Sequence, residues 1–147
     1  MSRPRVGAPN NFSNPSRFEV RGVSMPVSPI RRINSIWVHV RDIKKARTFY
    51  HDVLGLSEIW YDEEGESASF RIPRGPPLSM HVQGKGELGR SAGTVSGIYF
   101  SVEDVKRAAR AIERKGGTVT DRPEKKPWGN WNATIADPDG NEFVLTD

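Results

Sequence analysis

Two seven-residue stretches are near copies of one another: Val40–Ala46 reads VRDIKKA and Val102–Ala108 reads VEDVKRA. In each, an alternating apolar stretch ends at a valine, an aspartate follows, and apolar residues then recur at helical spacing. A short carboxylate in that place accepts the orphan N–H groups of a helix's first turn. Each copy is therefore the corner where a strand turns into a helix. Before the first corner, Ile36, Val38 and Val40 share one face and Ser35, Trp37 and His39 the other. After it, Ile43, Ala46, Phe49, Tyr50, Val53 and Leu54 form a helical stripe that Gly55 ends. Strands are predicted over 57–62, 66–72 and 78–82, with turns at Glu63-Glu64-Gly65 and Pro73–Pro77. The second copy repeats this order. A strand spans 96–102, and Asp104 caps a helix striped by Val105, Ala108, Ala109 and Ile112, which Gly116-Gly117 stops. Short strands follow around 118–120, 132–136 and 142–146, the last two joined by the tight turn Asp137-Pro138-Asp139-Gly140. The predicted class is α+β: two βαβββ modules forming a mixed-sheet, half-open barrel with a central cleft. One module alone leaves a sheet face bare, and pairing two buries part of it and leaves the cleft. Module one spans 33–83, a linker 84–94 and module two 95–147, after an N-terminal extension over 1–32.

That extension carries the charge. Residues 1–32 hold Arg3, Arg5, Arg17, Arg21, Arg31 and Arg32 against Glu19, a balance of +5; the whole chain is +4, so residues 33–147 carry −1. A nucleic-acid surface needs its cations on the fold itself, so no nucleic-acid partner is expected. The tail has no sustained period of 2 or 3.6 and is rich in Pro, Ser, Asn and Arg, so it reads as largely disordered. Its composition fits an extension without a role in the fold, and also a targeting presequence or a basic arm. The absence of cysteine removes disulfides, thiolate metal sites and cysteine nucleophiles together. With no long apolar run, no membrane partner is expected, and a cytoplasmic location is the simplest expectation.

Candidate site residues follow from the repeat. Trp37 and Tyr99 each stand five residues before their capping aspartate, so both are expected to face the cleft. Trp128 and Trp131 come from a WG loop and the strand it feeds, and His39, Ser101 and Asn132 are the candidate polar contacts. Aromatic rings around a few polar groups make a pocket for a flat small molecule. His39 and His81 are the candidates for a metal or for acid–base work. His51, beside Asp52, reads as solvated. Asp62, Glu63, Glu64 and Glu66 read as a solvated hairpin tip. Gly84–Gly89 spells GxGxxG but precedes a strand, where a dinucleotide fingerprint requires a helix.

VRDIKKARTFYHDVLGL (40–56), VEDVKRAARAIERKGG (102–117) and PWGNWNATIADPDGNEFVLTD (127–147) together resemble the vicinal oxygen chelate superfamily, which includes glyoxalase I, bleomycin resistance protein, fosfomycin resistance proteins and extradiol dioxygenases. The resemblance spans residues 33–147. It implies the paired-module fold and, in the metalloenzymes, a metal held in the cleft from the first and fourth strands of each module. Carried over, those ligand positions fall on Ser35, on Ser79 or a neighbour of it, and on Gly97 and Val144. Glycine and valine offer a metal no side-chain donor. The expectation is thus a metal-free, cofactor-free member, like the bleomycin-resistance branch, that binds a small planar or aromatic molecule and forms a homodimer. The alternative is a divalent-metal lyase, isomerase or dioxygenase-like enzyme using His39 and His81.

Overall fold

The computed structural model describes residues 17–20, 23–26, 28–86 and 89–147. Within the tail, where disorder was expected, β1 (Arg17–Val20) and β2 (Val23–Pro26) pair antiparallel. The rest of the expectation for residues 1–32 falls largely outside the described residues.

Residues 34–147 form one compact unit. Module one comprises β3 (Ile36–Val40), α1 (Ile43–Thr48), a π-helical turn (Phe49–Val53), β4 (Glu58–Asp62), β5 (Ser67–Phe70) and β6 (Leu78–Val82). Module two comprises β7 (Val95–Ser101), α2 (Val105–Arg114), β8 (Thr118–Lys125), β9 (Trp131–Ala136) and β10 (Glu142–Thr146). The sheets run β3-β6-β5-β4 and β7-β10-β9-β8. In each, the first and last strands of the module pair parallel and the others antiparallel. The near-identical heptads thus mark one topology used twice, in two four-stranded mixed sheets that do not close into a barrel.

Both caps act as their chemistry requires. Asp42 accepts from the N–H groups of Lys44 and Lys45, and Asp104 from that of Arg107. Two elements differ from the sequence expectation. The first helix does not run regularly to Leu54: after Thr48 it widens, with Leu54 N–H donating to the Phe49 carbonyl. The wider turn brings consecutive residues inward, so Phe49 and Tyr50 are both buried. β8 runs on to Lys125 rather than stopping at 120, because its register shifts around Asp121 and again before Glu124. A bulge lets the strand carry Pro123, which has no N–H for the ladder.

The core lies on the helix side of both sheets and is continuous between the modules. Val38, Val40, Phe70 and Met80 of module one join Ile112, Ile135, Phe143 and Leu145 of module two, with Tyr50 between. Its ring meets that of Phe143 edge-on at 6.2 Å. Among the described residues no helix is long and apolar enough to cross a membrane.

Candidate functional site

Each sheet turns a second face away from the core, and strand register decides what stands there. In module two, Tyr99, Val144, Thr134 and Asp121 align in one row across β7, β10, β9 and β8. Ser101, Thr146, Asn132 and Glu124 align in the next. Side chains two apart on a strand share a face, so both rows stand together. Over them lies a cup of about 580 Å³, walled by Tyr99 and Trp128 and floored by Asn132, Thr134 and Val144. Trp128 sits in a loop closed by backbone bonds from Lys126 to Asn130 and from Gly129 to Lys126. Asp147 anchors that loop further: its carbonyl accepts from the Asn130 amide and its carboxylate from Trp131 N–H. Tyr99 is 62% exposed and Trp128 70%, high values for large rings. Asn132 Oδ1 is buried without a hydrogen-bond partner among the described residues. On the rim, Arg122 donates two bonds to Glu113, at 2.6 and 2.9 Å, and Lys126 donates to Glu124 at 3.2 Å. The Arg122 bond holds the Glu113 carboxyl below its usual range.

The matching rows of module one are Trp37, Ser79, Ser69 and Trp60, and His39, His81, Ser67 and Asp62. Trp37 stacks on His81 at 4.2 Å and donates its indole N–H to Ser35. Ser79 donates to Ser69. His39 is 4% exposed, and its ring lies 6.1 Å from that of His81. His39 Nε2 and His81 Nδ1 are both buried without a partner among the described residues. Gly86 of the linker lies so close to His81 that a Cβ there would overlap the imidazole. Burial, and then the neighbouring His39, lower the His81 pKa.

The structure brings together only some of the residues read from the sequence. Tyr99, Trp128 and Asn132 line one cup, and Ser101 stands one step beyond Tyr99 on the same face of β7. Trp37 and His39 belong to the module-one face instead. The cup is lined by module two alone, not by a cleft shared between modules. Trp131 is a correction: it shares its face with Ala133 and Ile135 and packs on the core, with the Lys106 ammonium 3.9 Å from its ring centroid. One residue of phase on β9 sends it to the helix side while Asn132 faces the cup. Asp121 and Thr134 are absent from the sequence expectation; Asp121 reaches the cup through a register shift between Val119 and Asp121 that alternation alone does not signal. His51 is exposed against Asp52, and Glu63 and Glu66 form exposed pairs with Lys44 and Lys85. The glycine-rich linker leads into β7, and its residues 87 and 88 lie outside the described residues.

The four positions at which the metalloenzymes hold a metal do not fit one here. The Ser35 hydroxyl is engaged by Trp37 and that of Ser79 by Ser69, while Gly97 and Val144 bring no donor. No group of three or more His, Cys, Asp or Glu suited to a metal occurs among the described residues.

The geometry has counterparts in known proteins. A crystal structure of a glyoxalase/bleomycin resistance/dioxygenase superfamily member from Sphaerobacter thermophilus superposes with a TM-score of 0.71 at 29% identity, covering 80% of this chain and 97% of that one. TnmS3, an antibiotic binding protein from Streptomyces sp. CB03234, gives 0.66 at 25% identity over 81% of this chain and 97% of its own. A putative lactoylglutathione lyase from Brassica oleracea var. gemmifera is 30% identical over 132 residues, 84% of this chain and 46% of that protein. The family model described as Glyoxalase/Bleomycin resistance protein/Dioxygenase superfamily matches residues 32–145. By that match across most of its length, the chain belongs to the Glyoxalase/Bleomycin resistance protein/Dioxygenase superfamily.

Proposed function

We propose that this protein binds a small planar or aromatic molecule in the module-two cup, without metal and without chemistry on the ligand. The observation that carries this reading is the pairing of two largely exposed rings, Tyr99 and Trp128, with the unpartnered Asn132 Oδ1 between β10 and β8. Exposed large rings gain apolar contact when a flat ligand covers them. A buried orphan oxygen gains a hydrogen bond from the same ligand. The likeness to an antibiotic binding protein supports a binding role. The test is a titration with flat aromatic probes. Trp128→Ala is expected to weaken binding by about 1–2 kcal/mol, with the fold intact because the ring is exposed. Unchanged affinity for every probe that binds would remove the cup from the proposal.

One observation favours a second reading. His39 Nε2 and His81 Nδ1 are buried lone donors on adjacent strands, and imidazoles so placed suit a divalent ion or proton transfer. Asp62, the carboxylate of that row, stands two strands from His81, roughly 10 Å away, too far to share an ion with it. A metal-free homodimer is therefore the expected species, with apolar Val95, Ile59 and Trp60 available to a second copy. Native mass spectrometry of untagged protein purified without chelators reads both points. Two chains without a bound ion is the expected mass; one ion per chain, lost in His39→Ala, would establish the second reading.

A further inference from the structure

We infer that the ligand of the module-two cup carries a positive charge or strong hydrogen-bond donors on its flat ring, as an aminated aromatic cation does. This rests on the cup being the binding site. The inference comes from the sign of what the cup leaves unpaired.

Both cations on the rim are already engaged. The Arg122 guanidinium is drawn to Glu113 on α2, by two bonds at 2.6 and 2.9 Å. A planar fork satisfied by one carboxylate in this way holds its orientation. Lys126 is paired with Glu124, which also removes that carboxylate. What remains accepts protons or attracts cations. Asp121, opposite Thr134 in the cup row, has no ion-pair or hydrogen-bond partner for its carboxylate among the described residues. Asn132 Oδ1 is a buried orphan acceptor. The faces of Tyr99 and Trp128 carry negative quadrupole potential that favours a cation over the ring.

The bulk charge cannot account for such a preference. Residues 33–147 sum to −1 and the whole chain to +4, so the long-range field of the full chain favours anions. Selection for a cation has to be local to the cup, and it should weaken with salt only as far as Asp121 is exposed.

Two probes of one shape separate the possibilities: 9-aminoacridine, a flat cation at neutral pH, and acridine-9-carboxylate, the same ring system bearing an anion. Each is titrated calorimetrically into the full-length protein, its Asp121→Asn variant and its Trp128→Ala variant. The expected result is a preference of about tenfold or more for the cation, the scale of one charge-assisted contact. Asp121→Asn should collapse that preference by weakening the cation alone, whereas Trp128→Ala should weaken both probes. Asp121 is exposed, so the folded state of its variant is expected to match the parent by circular dichroism. If both probes bind with Trp128-dependent affinity and equal strength, the ligand-class inference is overturned and the cup stands. Binding of neither probe, or binding that ignores Trp128, overturns the cup and the inference together.

Discussion

Asn141→Ala is expected to lower the unfolding free energy by about 3 kcal/mol or more, the sum of several buried polar groups left without partners. Asn141 is fully buried. Its side-chain oxygen accepts from the N–H groups of Gly93 and Thr94, at 3.1 and 3.0 Å. Its amide nitrogen donates to the His39 carbonyl and to Asp137 Oδ2, both at 2.8 Å. One side chain thus ties the first strand of module one, the entry to β7 and the turn before β10. Alanine leaves the buried His39 carbonyl and the part-buried N–H groups of Gly93 and Thr94 without these partners. Urea unfolding should show a lower midpoint at unchanged m-value. Asn130→Ala, which removes a bond to the chain end on the surface, serves as comparison at about 1 kcal/mol or less. Equal costs for the two would mean that Asn141 is not a latch.

This explains why the turn reads DPDGN. The Asp137 carboxylate accepts from the N–H groups of Asp139 and Asn141, from the Asn141 amide and from the Tyr50 hydroxyl at 2.7 Å. Tyr50 reaches it from the π-helical turn of the other module. Burial, and next the Asp137 charge, push the Tyr50 pKa well up, so the phenol stays a donor. A carboxylate with this many donors is engaged in holding the turn. The most recognisable polar motif of the chain is therefore structural, a satisfied buried network that fixes how the modules meet.

What the sequence disclosed was local. Asp42 and Asp104 cap their helices through bonds two or three residues away, and Ile36, Val38 and Val40 alternate within a single strand, so both could be read from adjacent residues. The heptad repeat then carried the fold class, because one corner seen twice implies one topology used twice. The site was less legible because it depends on pairing between strands. Trp131 and Asn132 are neighbours, yet one residue of register sends the first to Lys106 and the second to the cup. Asp121 faces the cup only because the register of β8 shifts between Val119 and Asp121, where plain alternation would keep Asp121 on the core side with Val119. The aromatic residues were found by type, and their division between two sheet faces lay in the registers Trp37–Ser79 and Tyr99–Val144.

Phe143→Ala should cost about 3–5 kcal/mol, the range for deleting a buried ring and leaving a cavity. Its neighbour Val144 should behave in the opposite way. Phe143 is fully buried; it stacks on Phe100 at 5.1 Å and meets Tyr50 edge-on, so it fills the seam between modules. Phe143→Leu keeps most of that volume and should cost about half as much or less. Val144, the next residue of β10, points into the cup, where one module of the metalloenzymes places a ligand. Val144→Ala removes methyl groups that are already partly solvated, so stability should change by about 1 kcal/mol or less while affinity for a flat probe shifts. Denaturant unfolding and probe titration on the same three variants therefore read the two faces of one strand separately. Loss of probe affinity in folded Phe143→Leu, with none in Val144→Ala, would place the ligand on the helix side of the sheet and overturn the assignment of the cup. The expected pattern, stability carried by 143 and affinity by 144, would show that this sheet divides the labour of folding and binding with the two-residue period of its strands.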